Sequence, residues 1–145
     1  MVTYQKLYQD AWSAKCKILK YTNIDLGKYC KDQDIEVCVL KLKSTFFDAC
    51  IMTVCRAPTG NFNLFLNRLD DIIEILYKVD LKLVICGVIN LDYLTDNDKK
   101  RQLDVVLLTY SLSAIVQFPA RSQGYSSTAI DNIFFDTYKF ITTRY

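Results

Sequence analysis

The sequence predicts an α/β fold built on a layered sheet. Short runs of β-branched residues alternate with two longer segments of helical periodicity, and the predicted order of elements is β, β, α, β, α, β, β. A hairpin followed by strand–helix–strand connections fits a layered α/β sheet better than a helical bundle or a barrel. At 145 residues, of which 51% are hydrophobic, the chain has the length of one domain with a substantial core.

The predicted sheet begins with a β-hairpin. Residues 35–42 and 49–55 are rich in β-branched and aliphatic side chains, and a short polar and aromatic segment separates them. The Arg-Ala-Pro-Thr-Gly run that follows breaks regular structure, because Pro58 disfavours a helical Ala57 and Gly60 permits a positive φ. We therefore expect a loop after the second strand.

The first predicted helix begins near Asn61. Apolar residues recur there at steps of three and four, which places them on one helix face: Phe62, Phe65, Leu66, Leu69, Ile72, Ile73 and Leu76. The acidic residues of the same segment lie away from this stripe, so we expect them on a solvated outer face.

A central strand and a second helix are predicted next. Residues 81–86 form an apolar run without helical period, typical of a strand covered on both faces, and its end at Gly87 is where a site would lie. The second helix is predicted at about 97–110, with Thr95 or Asp96 as its N-cap. Its predicted buried stripe comprises Leu103, Val106, Leu107 and Tyr110. A strand at 114–118, a loop at 119–127 and a final strand at 128–135 complete the prediction.

Composition narrows the functional classes. A net charge of +2 argues against a nucleic-acid-binding surface that relies on bulk charge. The absence of histidine excludes Ser-His-Asp and Cys-His nucleophilic sites and the usual zinc-finger patterns. Six cysteines include no Cys-x-x-Cys pair, so we expect reduced, mostly buried thiols, with Cys38, Cys50 and Cys86 inside apolar strands.

The N-terminal part differs in charge from the rest. Residues 1–34 are a basic segment without an assigned fold, and residues 35–145 are predicted to form the domain. Residues 1–31 carry six lysines and two aspartates. Two interpretations of this basic segment stay open: it is either solvated and poorly packed, or an arm that contacts nucleic acid. With no signal-peptide pattern and no apolar run of about 20 residues, we expect an intracellular protein without a membrane partner; nucleus and cytoplasm are not distinguished.

Three segments in series resemble known endonuclease motifs. Residues 53–62 (Thr-Val-Cys-Arg-Ala-Pro-Thr-Gly-Asn-Phe) are similar to a Tyr-Arg-x-Pro stretch that leads into a long helix. Gly-Val-Ile-Asn at 87–90 is similar to Gly-Asp-Phe-Asn. Phe-Pro-Ala-Arg at 118–121 and Ser-Ser-Thr-Ala-Ile-Asp-Asn-Ile-Phe at 126–134 resemble Pro-Thr-Arg and Ser-x-Thr-x-Ile-Asp-His-Ile-Phe. Together, over about residues 35–136, they resemble the C-terminal half of the endonuclease domain of non-LTR retrotransposons. That domain belongs to the Mg2+-dependent endonuclease/exonuclease/phosphatase (DNase I-like) family.

The resemblance implies a partial layered β-sandwich with flanking helices. If this chain holds about one half of the sandwich, an apolar sheet face is left uncovered. The implied occupants of that face are the missing N-terminal half, a second copy of the chain through self-association, or another protein. The implied nucleic-acid partner is DNA.

The same resemblance assigns roles to five residues. It implies catalytic roles for Asn90, Asp131 and Asn132, an Mg2+-binding role for Asp131, and substrate contacts for Arg56 and Arg121. Structural alternatives stand beside these roles: Asn90 is also a suitable turn residue, and the two arginines are also suited to bridge loops. Asp131 lies in an apolar strand, where a carboxylate is costly unless it is paired.

The departures from the motifs fall where chemistry occurs. Val88 replaces the aspartate that orients or deprotonates the attacking water, and an aliphatic side chain has no acceptor lone pair. Cys55 replaces the tyrosine of the first motif, and Asn132 replaces a histidine that stabilises phosphoryl charge. Mg2+ is the implied cofactor, yet Asp131 and Asn90 are too few oxygen donors to hold it well.

We therefore expect a truncated, catalytically impaired relative of a Mg2+-dependent retroelement DNA endonuclease, whose ancestral reaction is phosphodiester hydrolysis. The alternative is a non-enzymatic module that binds nucleic acid or protein on the same fold. Whether the chain is an enzyme stays open; the departures favour an inactive site, and residual nuclease activity through Asp131 and Asn90 is a third hypothesis.

Overall fold

The computed structural model describes residues 20–43, 48–78, 81–119, 121–123, 126–136 and 138–139. Within these ranges the strands are β1 (Lys20–Ile24), β2 (Glu36–Lys43), β3 (Asp48–Cys55), β4 (Lys82–Val88), β5 (Leu112–Ala114), β6 (Arg121–Gln123), β7 (Ser126–Thr128) and β8 (Asp131–Asp136). The helices are α1 (Phe62–Tyr77) and α2 (Asp98–Thr109), with a 3₁₀ turn at Gly27–Tyr29.

The described strands form a six-stranded mixed sheet and a two-stranded ribbon. The order across the large sheet is β1-β2-β3-β4-β8-β5, and β6 pairs with β7 in the ribbon. β2 and β3 form the predicted antiparallel hairpin, and α1 connects β3 to β4, which run parallel. The predicted α/β class is confirmed. No described helix is long and apolar enough to cross a membrane.

The hydrophobic core lies between one face of the sheet and the two helices. A row of paired residues crosses the four central strands, Val39, Met52, Ile85 and Phe134, and each is at most 1% exposed. All seven apolar residues predicted for the stripe of α1 are buried in the same cluster. Asn61 caps this helix, because its side-chain oxygen accepts a hydrogen bond from the Leu64 N–H at 3.1 Å.

The opposite face of the sheet carries no helix among the described residues. Residues paired across the strands share a face, so the registers place a second apolar row, Leu40, Ile51, Val84 and Phe135, on this side. These four side chains are half-buried. We call this side the outer face; it comprises Tyr21, Asn23, Glu36, Cys38, Leu40, Leu42, Ala49, Ile51, Thr53, Cys55, Lys82, Val84, Cys86, Val88, Ser113, Asp131, Ile133 and Phe135.

The second helix starts later than predicted. Its N-cap is Asn97, whose side-chain oxygen accepts from the Lys100 N–H at 2.9 Å. Thr95 is not the cap, because its hydroxyl donates to the Asp92 carboxylate at 2.7 Å; Asp96 is not the cap, because it pairs with Arg101 at 2.9 Å. Of the predicted stripe of α2, Leu103 and Leu107 are fully buried, and Val106 and Tyr110 are half-buried against the core.

The strand boundaries also correct the sequence predictions. β4 runs through Gly87 to Val88 instead of ending at Gly87. β5 lies at Leu112–Ala114, before the predicted strand at 114–118, because pairing with β8 fixes its register. The predicted loop at 119–127 contains the ribbon strands β6 and β7.

The sheet also extends into the segment left unassigned. β1 pairs antiparallel with β2, with Ile24 opposite Val39, so the sheet begins N-terminal of the predicted boundary between residues 34 and 35. Residues 1–19, which carry most of the predicted basic segment, lie outside the described residues.

Gly87 is required by the packing of β3 against β4. Its φ is +146°, a region that L side chains rarely adopt, and a Cβ atom there would overlap the main-chain carbonyl oxygen of Val54 on the neighbouring strand. The glycine of the second motif therefore has a structural role that does not depend on chemistry.

Replacing Gly87 with alanine is expected to lower the free energy of unfolding by at least about 2 kcal/mol, since the Cβ forces β3 and β4 apart. Denaturant titration followed by circular dichroism measures the change. Gly27→Ala is the matched control, because its Cβ meets only the end of the Asp25 side chain at 3.2 Å. Equal effects of the two substitutions would contradict this account.

Candidate functional site

One end of the sheet gathers the residues of the three motifs. β3 and β4 are parallel and end side by side, and β8 begins next to them. The registers align Glu36, Cys55, Val88 and Asp131 in one row on the outer face. Val88 and Asp131 are direct cross-strand neighbours, whereas Glu36 is three strand spacings, about 14 Å, from Asp131. We call these four residues the terminal row.

Two shallow grooves flank Val88 on the outer face. The first, of about 350 Å3, lies against β8 and is lined by Cys86, Gly87, Val88, Val116, Phe118, Asp131, Asn132 and Ile133. The second, of about 300 Å3, lies between β2 and β4 and is lined by Glu36, Val37, Cys38, Thr53, Val54, Cys55, Gly87 and Val88. Val88 thus stands between the two grooves, at the position where the motif has its aspartate.

Arg56 lies buried behind this end of the sheet and bridges loops. Only 3% of the residue is exposed. Its Nε donates to the Ile89 carbonyl oxygen at 2.9 Å, one Nη to those of Ala57 and Gly60 at 3.1 Å each, and the other Nη to that of Asn90 at 3.0 Å. Four of the five N–H groups of the guanidinium are therefore engaged. This geometry favours the loop-bridging alternative over the predicted substrate contact.

Aromatic rings complete the surroundings of Arg56. Its guanidinium carbon lies 5.6 Å from the centroid of the Phe62 ring and 5.8 Å from that of Phe65, at the start of α1. Burial lowers the pKa of Arg56 from its ordinary value, yet an arginine remains protonated at neutral pH. One buried cation thus connects the ends of β3 and β4 to the first turn of α1.

Asn90 occupies the turn that follows β4. Its φ is +52°, in the left-handed region that asparagine tolerates better than most residues. Its Nδ2 donates to the Arg56 carbonyl oxygen at 2.6 Å, so Asn90 and Arg56 hold each other's main chain. The turn alternative describes this geometry, and the predicted catalytic role of Asn90 stays a prediction.

The side-chain amide of Asn132 is paired with the main chain. The residue is 2% exposed; its Nδ2 donates to the Val116 carbonyl oxygen at 3.1 Å, and its Oδ1 accepts from the Val116 N–H at 3.1 Å. The Oδ1 also accepts from the Ile133 N–H at 2.8 Å. The amide thus replaces main-chain pairing just beyond the end of β5, which argues against the predicted catalytic role.

Asp131 and Arg121 complete the set of predicted residues. Asp131 is half-buried in the terminal row, where it faces Val88 across the strands. The main chain of Arg121 lies in ribbon strand β6, and its side chain lies outside what the structure describes. The fold therefore brings Asn90, Asp131, Asn132 and Arg56 to one end of the sheet, while the substrate-binding role of Arg121 stays a prediction.

The described residues do not fit an Mg2+ site. None of their histidine, cysteine, aspartate and glutamate side chains form a group of three or more able to hold a metal ion. In the terminal row the two carboxylates are separated by Cys55 and Val88, which offer no hard oxygen ligand. Mg2+ requires several such ligands in near-octahedral geometry, and the described residues of the terminal row do not supply them.

Two aspartates that sequence reasoning did not single out as anchors fix the surrounding loops. The Asp34 carboxylate accepts from the Asn61 N–H at 2.6 Å and pairs with Lys31 at 3.4 Å. Asp92 accepts from the Ala129 N–H at 3.0 Å, from the Leu94 N–H at 3.2 Å and from the Thr95 hydroxyl. Because the Asn61 and Ala129 partners are 27 and 37 residues away, no local pattern could have indicated them.

A separate cleft of about 370 Å3 lies between α2 and β5, away from the terminal row. It is lined by Tyr93, Lys100, Asp104, Leu108, Leu112, Ser113, Ala114 and Gln117. Burial raises the pKa values of both Tyr93 and Asp104. Lys100 lies 5.7 Å from the centroid of the Tyr93 ring, so a cation is close to both groups.

No family model and no curated protein matches the sequence. Solved structures do match the fold. The endonuclease domain of TRAS1, a telomere-specific non-LTR retrotransposon, superposes with a TM-score of 0.62 at 13% identity, over 82% of this chain and 56% of that one. TDP2 of D. rerio, complexed with a single-strand DNA product, gives 0.55 at 9% identity, over 82% and 54%. The 3′ phosphatase NExo from Neisseria, bound to a product DNA hairpin, gives 0.50 at 12% identity, over 88% and 70%.

These likenesses establish the fold. The chain has an endonuclease/exonuclease/phosphatase (DNase I-like) fold, as the motifs predicted. It spans little more than half the length of the first two structures.

Replacing Arg56 with methionine is expected to lower the free energy of unfolding by at least about 3 kcal/mol, because the carbonyl groups of four residues lose their donors inside the protein. Chemical denaturation measures the loss. Arg101→Met, which removes an exposed pair with Asp96 and Asp98, is the control and should change stability little. A stable Arg56→Met variant with weakened DNA binding would instead support the predicted substrate contact.

Asp92 should make stability depend on pH. Its pKa is lowered chiefly by the hydrogen bond from Ala129, with smaller contributions from Thr95, Leu94 and the charge of Lys100, against an opposing effect of burial. Because the pKa of Asp92 is lower in the folded state than the unfolded value of about 3.9, its carboxylate stabilises the folded protein above that pH. This stabilisation is lost as the pH falls through the folded-state pKa. Asp92→Asn should therefore lower Tm at pH 7 and have a smaller effect at pH 3. Asp71→Asn on the exposed side of α1 is the control; a pH-independent deficit in Asp92→Asn would contradict the assignment.

Proposed function

From the nuclease-like fold that this chain shares with the TRAS1 endonuclease domain, we propose that it is a catalytically impaired relative of a Mg2+-dependent retroelement DNA endonuclease. One observation carries the proposal. Val88 lies directly opposite Asp131 in the terminal row, at the position where the motif has its aspartate. The fold retains the end of the sheet at which the motif lies, but Val88, the side chain at the position of the motif's aspartate, is aliphatic.

The chemical deficit follows from the side chains. Phosphodiester hydrolysis requires a group that orients or deprotonates water, and valine has no lone pair with which to do either. A general base contributes typically about 10²- to 10⁴-fold to the rate. Among the described residues of the terminal row, Asp131 and the distant Glu36 offer too few oxygen atoms for Mg2+, so the stabilisation of phosphoryl charge that the ion usually supplies is not supported.

The described donors of Arg56 and Asn132 do not compensate for this loss. The guanidinium of Arg56 is buried and donates to main-chain carbonyl groups, and the amide of Asn132 is paired with Val116. An oxyanion requires donors directed at the position where charge develops. The donors of these two side chains are directed into the protein instead.

The second candidate is a non-enzymatic module that binds nucleic acid or protein. The observation that favours it is the apolar row on the outer face, Leu40, Ile51, Val84 and Phe135, because contiguous apolar residues on one face of a sheet are typical of an interaction surface. DNA as a ligand stays a proposal, because binding to DNA is established only for the structural neighbours TDP2 and NExo.

Restoring the carboxylate tests the proposal. Val88→Asp places two carboxylates opposite each other on β4 and β8, so it should destabilise the protein relative to the neutral control Val88→Asn. Mg2+ at millimolar concentration should then raise the Tm of Val88→Asp, and of neither Val88→Asn nor the native chain, beyond an ionic-strength control. Binding a hundredfold above Kd stabilises by about 2.7 kcal/mol.

Nicking of supercoiled DNA separates the two candidates. The native chain should not nick DNA, and a gain of Mg2+-dependent nicking by Val88→Asp, alone or with Asn132→His, supports an impaired active site. The second substitution also breaks the pairing with Val116, so each variant is first checked for a cooperative melt. Absence of nicking by folded variants favours the binding module. Nicking by the native chain that Asp131→Asn abolishes would overturn the proposal.

A further inference from the structure

We propose that the cleft between α2 and β5 binds a free α-amino acid with an aliphatic side chain. Asp104 accepts a hydrogen bond from the ammonium group of this ligand, and Lys100 pairs with its carboxylate. The cleft lies away from the terminal row, so the proposal goes beyond the proposed function and does not depend on whether the chain cleaves DNA. It rests on a buried hydroxyl without a partner, two opposite charges that do not pair with each other, and an apolar wall.

The first observation is the hydroxyl of Tyr93. The residue is 6% exposed, and its hydroxyl oxygen is buried with no hydrogen-bond partner among the described residues. The pKa of Tyr93 is raised chiefly by burial and next by the charge of Asp104, which lies near the hydroxyl without meeting hydrogen-bond geometry. Both residues line the cleft, and a buried hydroxyl left unpaired is costly. A polar group of a ligand at this wall supplies the missing partner.

Two opposite charges line the cleft about one helical turn apart. Lys100 and Asp104 are four residues apart on α2 with the lysine first, which is the weaker order for a pair on a helix. The ion pairs described on α2 join Arg101 to Asp96 and to Asp98, at 2.9 and 2.7 Å, and Lys100 forms no such pair with Asp104 in the described part of the chain. Burial raises the pKa of Asp104, and the charge of Lys100 only partly opposes this effect. A ligand that carries both an ammonium and a carboxylate complements both side chains.

The apolar lining residues are held in place by the core. Leu108, Leu112 and Ala114 line the cleft; Leu112 is 1% exposed and Leu108 is 64% exposed, so the apolar wall extends from the core to the rim. α2 is anchored by Leu103 and Leu107, which are at most 1% exposed. The volume of about 370 Å3 is at the lower end of the range for ligand pockets, which suits a molecule of the size of one amino acid.

A ligand with a single charge fits this cleft less well. A carboxylate without an amine has no group for Asp104 and is repelled by it, and an amine without a carboxylate has the same difficulty with Lys100. Leucine itself has two analogues of this kind, 4-methylpentanoate and 3-methylbutylamine, which keep its aliphatic side chain. The three compounds therefore separate binding of the zwitterion from binding of either charge or of the apolar group alone.

Isothermal titration calorimetry of the full chain with L-leucine tests the proposal. L-leucine should bind to one site with a Kd of about 1 mM or below, and should raise Tm as its concentration passes Kd. The two analogues should each bind at least about tenfold more weakly, which is the loss expected for one charge-assisted hydrogen bond.

Charge variants on α2 locate the site. Lys100→Met and Asp104→Asn should each raise the Kd for L-leucine at least about tenfold. Lys99→Met is the matched control and should leave Kd unchanged. Both lysines lie over an aromatic ring, Lys99 at 5.6 Å from the centroid of Phe62 and Lys100 at 5.7 Å from that of Tyr93, but only Lys100 lines the cleft.

Two further variants test the wall and the hydroxyl. Leu108→Ser should raise Kd at least about threefold, because it removes apolar contact area. Val105→Ser, at an equally exposed position of the same helix outside the cleft, should leave Kd unchanged. Tyr93→Phe removes an unpaired hydroxyl, so the Tm of the free protein should not fall, whereas the rise in Tm that L-leucine produces should be smaller.

Four results would overturn the proposal. The first is no saturable binding of L-leucine by the folded chain at concentrations well above the expected Kd. The second is equal binding of L-leucine and of either analogue. The third is an equal effect of Lys100→Met and Lys99→Met. The fourth is a large fall in the Tm of free Tyr93→Phe, which would mean that the hydroxyl is already paired within the chain. If Asp104→Asn shows no cooperative melt, Lys100→Met and Leu108→Ser decide in its place.

Discussion

The structure depends on one buried cation. The guanidinium of Arg56 provides donors to four main-chain carbonyl groups, in the loop after β3 and in the turn after β4, while its face lies against two phenylalanine rings of α1. These carbonyl groups lie where strands end and no sheet partner is available, so each would otherwise be costly to bury. The parallel strands β3 and β4 can therefore end together, and the terminal row exists because they do.

A second constraint divides the molecule into two unlike faces. On the core face, glycine at position 87 and large aliphatic residues allow β3, β4 and the helices to approach closely. On the outer face the four central strands carry an apolar row in the middle, and the charged residues lie toward the two ends. The same sheet thus supplies a complete core on one side and an incomplete one on the other. The candidate site lies at the margin of the incomplete side.

The sequence predicted those parts of the fold that local pattern controls. The stripe of α1 was correct at every position, because helical periodicity is read over neighbouring residues. β1 was missed and β5 was placed late, because their limits depend on pairing with β2 and β8. The cap of α2 was misplaced within a run of four polar residues, each of which suits a cap.

The motif residues come together at one end of the sheet, but the contacts of their side chains could not be read from the sequence, and the roles assigned to them stay predictions. For Arg56 the sequence left open a substrate contact and a loop bridge. Its partners Ile89 and Asn90 lie 33 and 34 residues further along the chain, so no argument from sequence spacing could identify them. The same is true of Asn132, whose partner is the main chain of Val116. Side chains that resemble catalytic residues can serve the backbone, and only the fold distinguishes the two uses.

The pairing of Asn132 with Val116 also limits how the protein can polymerise. An edge strand with unpaired N–H and C=O groups is a template for further strands and hence for fibrils. At this edge β5 is only three residues long, and beyond it the Val116 N–H and C=O are turned inward to a side-chain amide. Lateral growth of cross-β structure from the β5 edge therefore has almost no ladder to extend.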